Sequence, residues 1–173
     1  MTIWVGIDPG ARWTGVVVRQ RDALLWHHVV DRDESSDYLA DVESAVVRAT
    51  NAATEADTDV WYAVEDVVPP CGFKDGRRQF ASPADILALG QTLGWVRHVV
   101  VTLTSPSRLV LVPPGGHGGN LLRLYPEALV SAAERRHGLH RVAPASSAVS
   151  HAREAWDVAG AAPRVARLAR ALG

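Results

Sequence analysis

The stretch WVGIDPGARWTGVVV, from Trp4 to Val18, constrains this chain more than any other. Ile3, Val5 and Ile7 alternate along an apolar run, as one face of a strand does, and Pro9-Gly10 then stops it. A second apolar run begins at Val16 and continues to Val18. Two antiparallel strands joined by a short loop satisfy this pattern, with Asp8 at the mouth of the loop. A carboxylate beside an apolar sheet costs free energy unless a partner compensates it. Either the rest of the chain supplies that partner, or Asp8 is only a turn former.

The remaining pattern extends the sheet. Arg19 to Asp22 is polar and suits a hairpin turn, and Ala23 to Val30 follows as a third strand, making an antiparallel meander. Tyr38, Leu39, Val42, Ala45, Val46 and Ala49 recur at three-and-four spacing with acids concentrated early, which specifies a helix. DVWYAVEDV is a buried fourth strand ending near Glu65. The Pro- and Gly-rich VPPCGFKDGRRQFASP reads as a loop, and a long helix starts at Pro83, capped by Ser82, and reaches Thr102 or Thr104. SRLVLVPP supplies a fifth strand, closed by Pro113-Pro114. GGHGGN lacks the Lys-Ser/Thr of a phosphate-binding loop and reads as a mobile connection. A helix is expected from about Pro126 to a stop at Gly138, then a last helix that Pro163 kinks or splits. This order specifies an α/β chain: a mixed five-stranded sheet, its first three strands antiparallel, flanked by helices. At 173 residues, with no internal repeat, the expectation is one domain over residues 1–173.

Composition narrows the class. The chain is 47% hydrophobic and 21% charged, as a globular protein is, and its net charge of −1 gives no global attraction to nucleic acid. A polyanion must therefore be met by a local patch. Lys74, Arg77 and Arg78 in the Pro/Gly loop, with Arg12 after the first strand, are the candidates. No uninterrupted apolar stretch suggests a membrane span and no leader opens the chain, while the single Cys71 excludes a disulfide framework. A cytoplasmic protein is expected. His27 and His28 are adjacent on a strand, cannot face one site together, and read as ordinary surface or core imidazoles.

Four acids stand out by position. Asp8 closes the first strand and Glu65 the fourth, each before a turn-rich connection. Glu154 and Asp157 lie three apart on one face of the last helix, amid apolar neighbours. Asp66 points to the opposite side of its strand from Glu65. Carboxylates gathered together raise one another's pKa unless a cation holds them. Oxygen ligands without cysteine suit magnesium or manganese, and a pair of such ions can activate water against a phosphodiester. By position alone, the four form one metal site or are unrelated solvated acids.

Taken in order, four motifs resemble the RuvC-like Holliday junction resolvases of the RNase H-like nuclease superfamily. GIDPGARWTGVVV resembles the family's first strand and turn, YAVEDV its fourth strand, LALGQTLGWV its Leu-Gly-Gln helix, and EAWDVAGAA its acidic C-terminal helix. The resemblance implies an RNase H-like fold and a metal-dependent endonuclease acting on four-way DNA junctions. It implies Asp8, Glu65, Glu154 and Asp157 as catalytic metal ligands for two magnesium ions, with manganese substituting. Gly90 and Gly94 would permit close packing, and a homodimer would place two sites for paired cuts. The chain departs from the family pattern in two places. Glu154 stands where Asp or His is usual, with His151 one turn earlier, and Val99 to Asn120 carries no family motif.

Other classes compete with that reading. A sugar- or acetate-kinase-like nucleotide binder also opens on a Gly-Ile-Asp-x-Gly turn, but needs a second related lobe and a second copy of the turn, and neither is present. A nuclease of the same fold for other branched DNA or structured RNA shares every motif, and a non-catalytic DNA-binding relative would make one of the acids dispensable.

Overall fold

Strand β1 (Thr2–Asp8) sorts its side chains by alternation. Ile3, Val5 and Ile7 enter one core, while Gly6 lies against a helix on the opposite face. A computed structural model of the protein describes residues 2–55, 59–67, 73–74, 77–78, 82–115, 117–141 and 148–172. Cys71 lies outside them. In it β1 pairs antiparallel with β2 (Trp13–Gln20), and β2 with β3 (Ala23–Asp31). β4 (Asp59–Glu65) runs parallel to β1 on its other side. Between β3 and β4 comes α1 (Tyr38–Thr54), started by Asp37, whose side chain accepts from the Ala40 amide.

Two short strands, β5 (Phe73–Lys74) and β6 (Arg77–Arg78), pair as a small separate hairpin. That hairpin falls where the sequence suggested only a loop. α2 (Pro83–Leu103) begins as expected, with Ser82 accepting from the Asp85 amide and Pro83 in the first turn. β7 (Leu109–Val112) then joins the sheet parallel to β4. The sheet order is β3-β2-β1-β4-β7, with the first three strands antiparallel.

The two faces of the sheet are covered differently. Val42, Ala45, Val46 and Ala49 of α1, with Val96, Val99 and Val100 of α2, pack on Ile3, Val5, Ile7, Val16 and Val18. On the opposite face lies α4 (Ala148–Leu172), burying Ala152, Ala155, Trp156 and Ala159 against Val17, and Val158 and Ala162 against Ala63, Val110 and Val112. α4 passes through Pro163 as one helix, so of the expected kink or split the split does not occur. Proline removes one backbone donor, but burial of Val158, Ala159 and Ala162 ties that stretch of the helix to the sheet.

The helix expected from Pro126 is shorter. α3 (Ala132–His137) starts at Ser131, whose side chain accepts from the Glu134 amide while the Glu134 carboxylate accepts from the Ser131 amide. Leu122, Tyr125, Leu129 and Val130 upstream are buried beneath α4, so tertiary burial sets the backbone there instead of helix propensity. Gly138, with φ at +106°, ends α3 as anticipated. α2 is, by length and composition alone, apolar enough to cross a membrane, which the sequence reading did not anticipate. Val96, Val99 and Val100 of this helix nevertheless belong to the core on the α1 side of the sheet.

Candidate active site

Alternation decides which acids can meet. Asp8 shares the α4 face of β1 with Gly6, and Glu65 shares the α4 face of β4 with Ala63. Because β1 and β4 are parallel, with Ile7 beside Val64, their carboxyl ends emerge at the same edge. Both acids line a cleft of about 350 Å³ with Pro9, Gly10, Asp66, Leu89, Pro114 and His151. Asp66 therefore reaches the rim of the same cleft, although its carboxylate accepts from the neighbouring Val67 amide as a local turn contact.

Glycines bring α4 to this edge. A Cβ on Gly6 would stand 2.2 Å from the Ala155 carbonyl oxygen, and one on Gly15 would stand 2.1 Å from that of His151. Gly15 is the cross-strand partner of Asp8. The helix backbone thus presses on the sheet beside Asp8, and its first turns deliver two side chains there. His151 Nδ1 lies 2.5 Å from Asp8 Oδ2 and 3.6 Å from Glu154 Oε2. Ligand atoms of Asp8, His151 and Glu154 all lie within 4.8 Å of one another.

Burial perturbs all three, and carboxylate repulsion adds to it at Asp8 and Glu154. Asp8 is only 5% exposed, and desolvation followed by the charge of Glu65 pushes its pKa well above the usual carboxylate value. Glu154 is pushed up to about 8, first by burial and then by the charge of Asp8, to which its protonated form hydrogen-bonds. Burial lowers the pKa of His151, against the opposing pull of Glu154 and Glu65, so the imidazole is neutral near pH 7. Two carboxyl groups whose pKa values are raised by burial and by nearby carboxylates, beside an imidazole whose pKa burial lowers, are a donor set that a divalent cation fits. Its charge offsets the repulsion that raises both pKa values. Asp8, Glu154 and His151, with Glu65 at the cleft wall, are the residues able to hold one.

Asp157 is not in that cluster. Its Oδ2 accepts from the Gly118 amide at 2.8 Å, the Asn120 side-chain amide at 2.9 Å and the Tyr125 hydroxyl at 2.8 Å. The pair that gathers at Asp8 is His151 and Glu154, one turn upstream of the expected Glu154 and Asp157. The sequence contains the signal: His151 and Glu154 are also three apart on one helix face.

The basic residues divide as well. Arg12 stands at the β1–β2 turn, paired with Asp33 at 2.5 Å and stacked 4.4 Å above the Trp13 ring, which itself packs against His151. Lys74, Arg77 and Arg78 occupy paired positions of the β5–β6 hairpin, and their side chains lie outside the described residues. Gly90 and Gly94 have nothing within 4 Å of where a Cβ would stand, so no neighbour within the described chain uses the close approach they permit.

Among solved structures, the chain matches "T. thermophilus RuvC in complex with Holliday junction substrate" over 97% of its own length and 96% of that chain, with a TM-score of 0.59 at 18% identity. The fold is that of RuvC. "Thermus thermophilus RuvC structure" matches over 96% of both chains, with a TM-score of 0.53 at 21% identity. No family model matches the sequence, and no curated protein matches it. At these identities the likeness to RuvC establishes the mixed RNase H-like sheet and its helices. The chemistry rests on the side chains of this chain.

Proposed function

We propose that the protein is a divalent-metal-dependent endonuclease that resolves four-way DNA junctions by phosphodiester hydrolysis. The observation carrying this reading is the convergence of Asp8, His151 and Glu154 at the edge where β1 and β4 end, with Glu65 on the same wall. A stability role alone does not account for it. Burial raises the pKa values of both Asp8 and Glu154, nearby carboxylates add to the rise, and both effects cost folding free energy, so the arrangement needs another use.

Asp8, Glu65 and Glu154 would hold magnesium, for which manganese can substitute, and two ions per site suit the acid count. Bound there, such ions would supply Lewis-acid charge at a phosphate and lower the pKa of water. The residues of the chain do the rest. Asp8 is fixed by β1 and by its contact with His151, so it offers oxygen without reorganising. His151, neutral near pH 7, can take a proton or complete the ligand set. Lys74, Arg77, Arg78 and Arg12 flank the cleft in sequence and would contact phosphates, a local patch on a chain whose net charge is −1.

Paired cuts need two sites related by a two-fold axis, and α2 offers the surface for a homodimer. Leu87 is 68% exposed and Ile86 42%, and Gly90 and Gly94 leave an open stripe beside them. The testing experiment offers synthetic four-way junction, fork, duplex and RNA hairpin to the protein with magnesium, manganese or chelator. Metal-dependent cutting concentrated on the junction supports the proposal. Equal cutting of duplex, or preference for the RNA hairpin, points to another substrate for the same fold.

A further inference from the structure

Asp157 has no role in the cluster, yet its surroundings are specific. Its single Oδ2 accepts three hydrogen bonds from one short segment: the Gly118 amide, the Asn120 side chain and the Tyr125 hydroxyl. Tyr125 is buried, and its hydroxyl also accepts from the Asn120 amide at 3.1 Å. Burial and the neighbouring carboxylate push the phenol up to about 12, so it remains a donor across the physiological range. The Gly-rich segment is thereby fastened to α4 at its C-terminal end.

What the fastened segment touches is Glu154. Gly118 is buried with φ at +73°, a left-handed conformation that glycine adopts without strain. A Cβ there would stand 2.4 Å from Glu154 Cγ and 3.1 Å from its Oε1. The bare glycine backbone therefore lies directly on the Glu154 side chain. Pro114, at the start of the same segment, lines the cleft beside Asp8 and Glu65. Glu154 is thus held between the segment on one side and His151 and Asp8 on the other.

We infer that Asp157 is a positioning residue that latches the segment containing Gly118, Asn120 and Tyr125 onto α4, and so fixes Glu154 for metal binding. This rests on the nuclease reading for its purpose but not for its test. Three donors converge on Oδ2, so an ion binding through that oxygen would require releasing them. The same three bonds make Asp157 a good anchor, since each donor would otherwise lose a charged partner. Groups behind metal ligands commonly tune affinity about 10- to 100-fold when removed.

The experiment measures manganese binding to the full chain without DNA, by electron paramagnetic resonance of the free ion, together with melting temperature and single-turnover junction cleavage. Asp157→Ala should weaken manganese about tenfold or more, and Tyr125→Phe and Asn120→Ala should each weaken it by a smaller factor. The cleavage rate should fall in the same order, while the junction concentration giving half-maximal rate stays unchanged. Tyr125→Phe and Asn120→Ala each delete one donor, so they keep the test open if Asp157→Ala does not fold. Wild-type manganese affinity in both of these variants, with affinity abolished by Asp157→Ala, would overturn the inference and make Asp157 a direct ligand. Wild-type affinity in all three, with lowered melting temperatures, would overturn it in favour of a structural tie. A wild-type protein that binds no manganese also overturns it. One that binds manganese in the predicted series but cuts no junction instead sinks the nuclease reading and leaves the latch standing.

Discussion

At the residue scale, the chemistry proposed for the site is written in Asp8, Glu65, His151 and Glu154, whose positions depend on one another. Asp8→Asn, Glu65→Gln and Glu154→Gln should each lower junction cleavage on the order of 100-fold or more while leaving junction binding intact. Neutralising a carboxyl removes an oxygen ligand and also reduces repulsion toward phosphate. His151→Ala should cost less than Glu154→Gln, because imidazole suits a hard cation less well than carboxylate does. A side-by-side metal titration checks the ranking. The pKa shifts make a separate prediction about stability without metal. Glu154 rises from an ordinary value of 4.5 to about 8, so between those values the folded chain holds a proton that the unfolded chain has released. Stability therefore falls as pH rises through that window. Asp8 is raised too and acts in the same direction, whereas His151 is lowered from 6.5 and acts oppositely, below that pH. In chelator, the melting temperature should drop between pH 6.5 and 8, and Glu154→Gln should flatten the drop. A wild-type curve that is flat or rising there would show that the Glu154 carboxyl is not perturbed as described. Asp8 and Glu65 were legible in sequence because strand alternation and parallel pairing fix where strand ends point. His151 and Asp157 were not separable, because both sit at three-residue spacing from Glu154 and only the packing of α4 decides which turn faces Asp8.

At the element scale, the central contact is between α4 and the β1–β2 pair, and glycine makes it. Gly15→Ala would drive a methyl into the His151 backbone, and Gly6→Ala would do so at Ala155. Each should cost about 3 kcal/mol of stability by overpacking and displace His151 and Glu154 from Asp8. Chemical denaturation measures the first effect and metal affinity the second. Gly94→Ala makes the opposite expectation, since none of the described residues stands within 4 Å of its Cβ position. It should stabilise an isolated subunit by about 1 kcal/mol through helix propensity. If α2 forms the dimer surface, the same substitution weakens dimerisation, seen by sedimentation as more monomer at micromolar concentration. Unchanged dimerisation would place the interface elsewhere. The cap of α2, the spacing of α1 and the alternation of β1 were readable because each is a local signal. The early start expected for α3 was not correctable from sequence, since Leu129 and Val130 are drawn beneath α4 by contacts distant along the chain. Pro163 is a related case: local chemistry predicts a kink or a split, and burial of Val158, Ala159 and Ala162 before it keeps α4 unsplit.

At the scale of the whole molecule, a RuvC-like sheet carries an acid cluster at one edge and an apolar, largely exposed helix on one face. The order of strands and helices was legible because each element has its own period, and the resemblance rested on four motifs in sequence. The assembly was not legible, because α2 is apolar around much of its circumference and its sequence does not say which side meets the sheet. The account's central claim joins the two features: one metal-dependent cluster per subunit, acting in pairs on a four-way junction. A supercoiled plasmid extruding a cruciform tests it most directly, because coordinated cuts by two subunits on one junction convert the circle to a linear molecule. With magnesium the wild-type protein should yield linear DNA as the main first product, and Asp8→Asn should yield none. Accumulation of nicked circles alone, cutting that persists in chelator, or wild-type rates from Asp8→Asn would contradict the account.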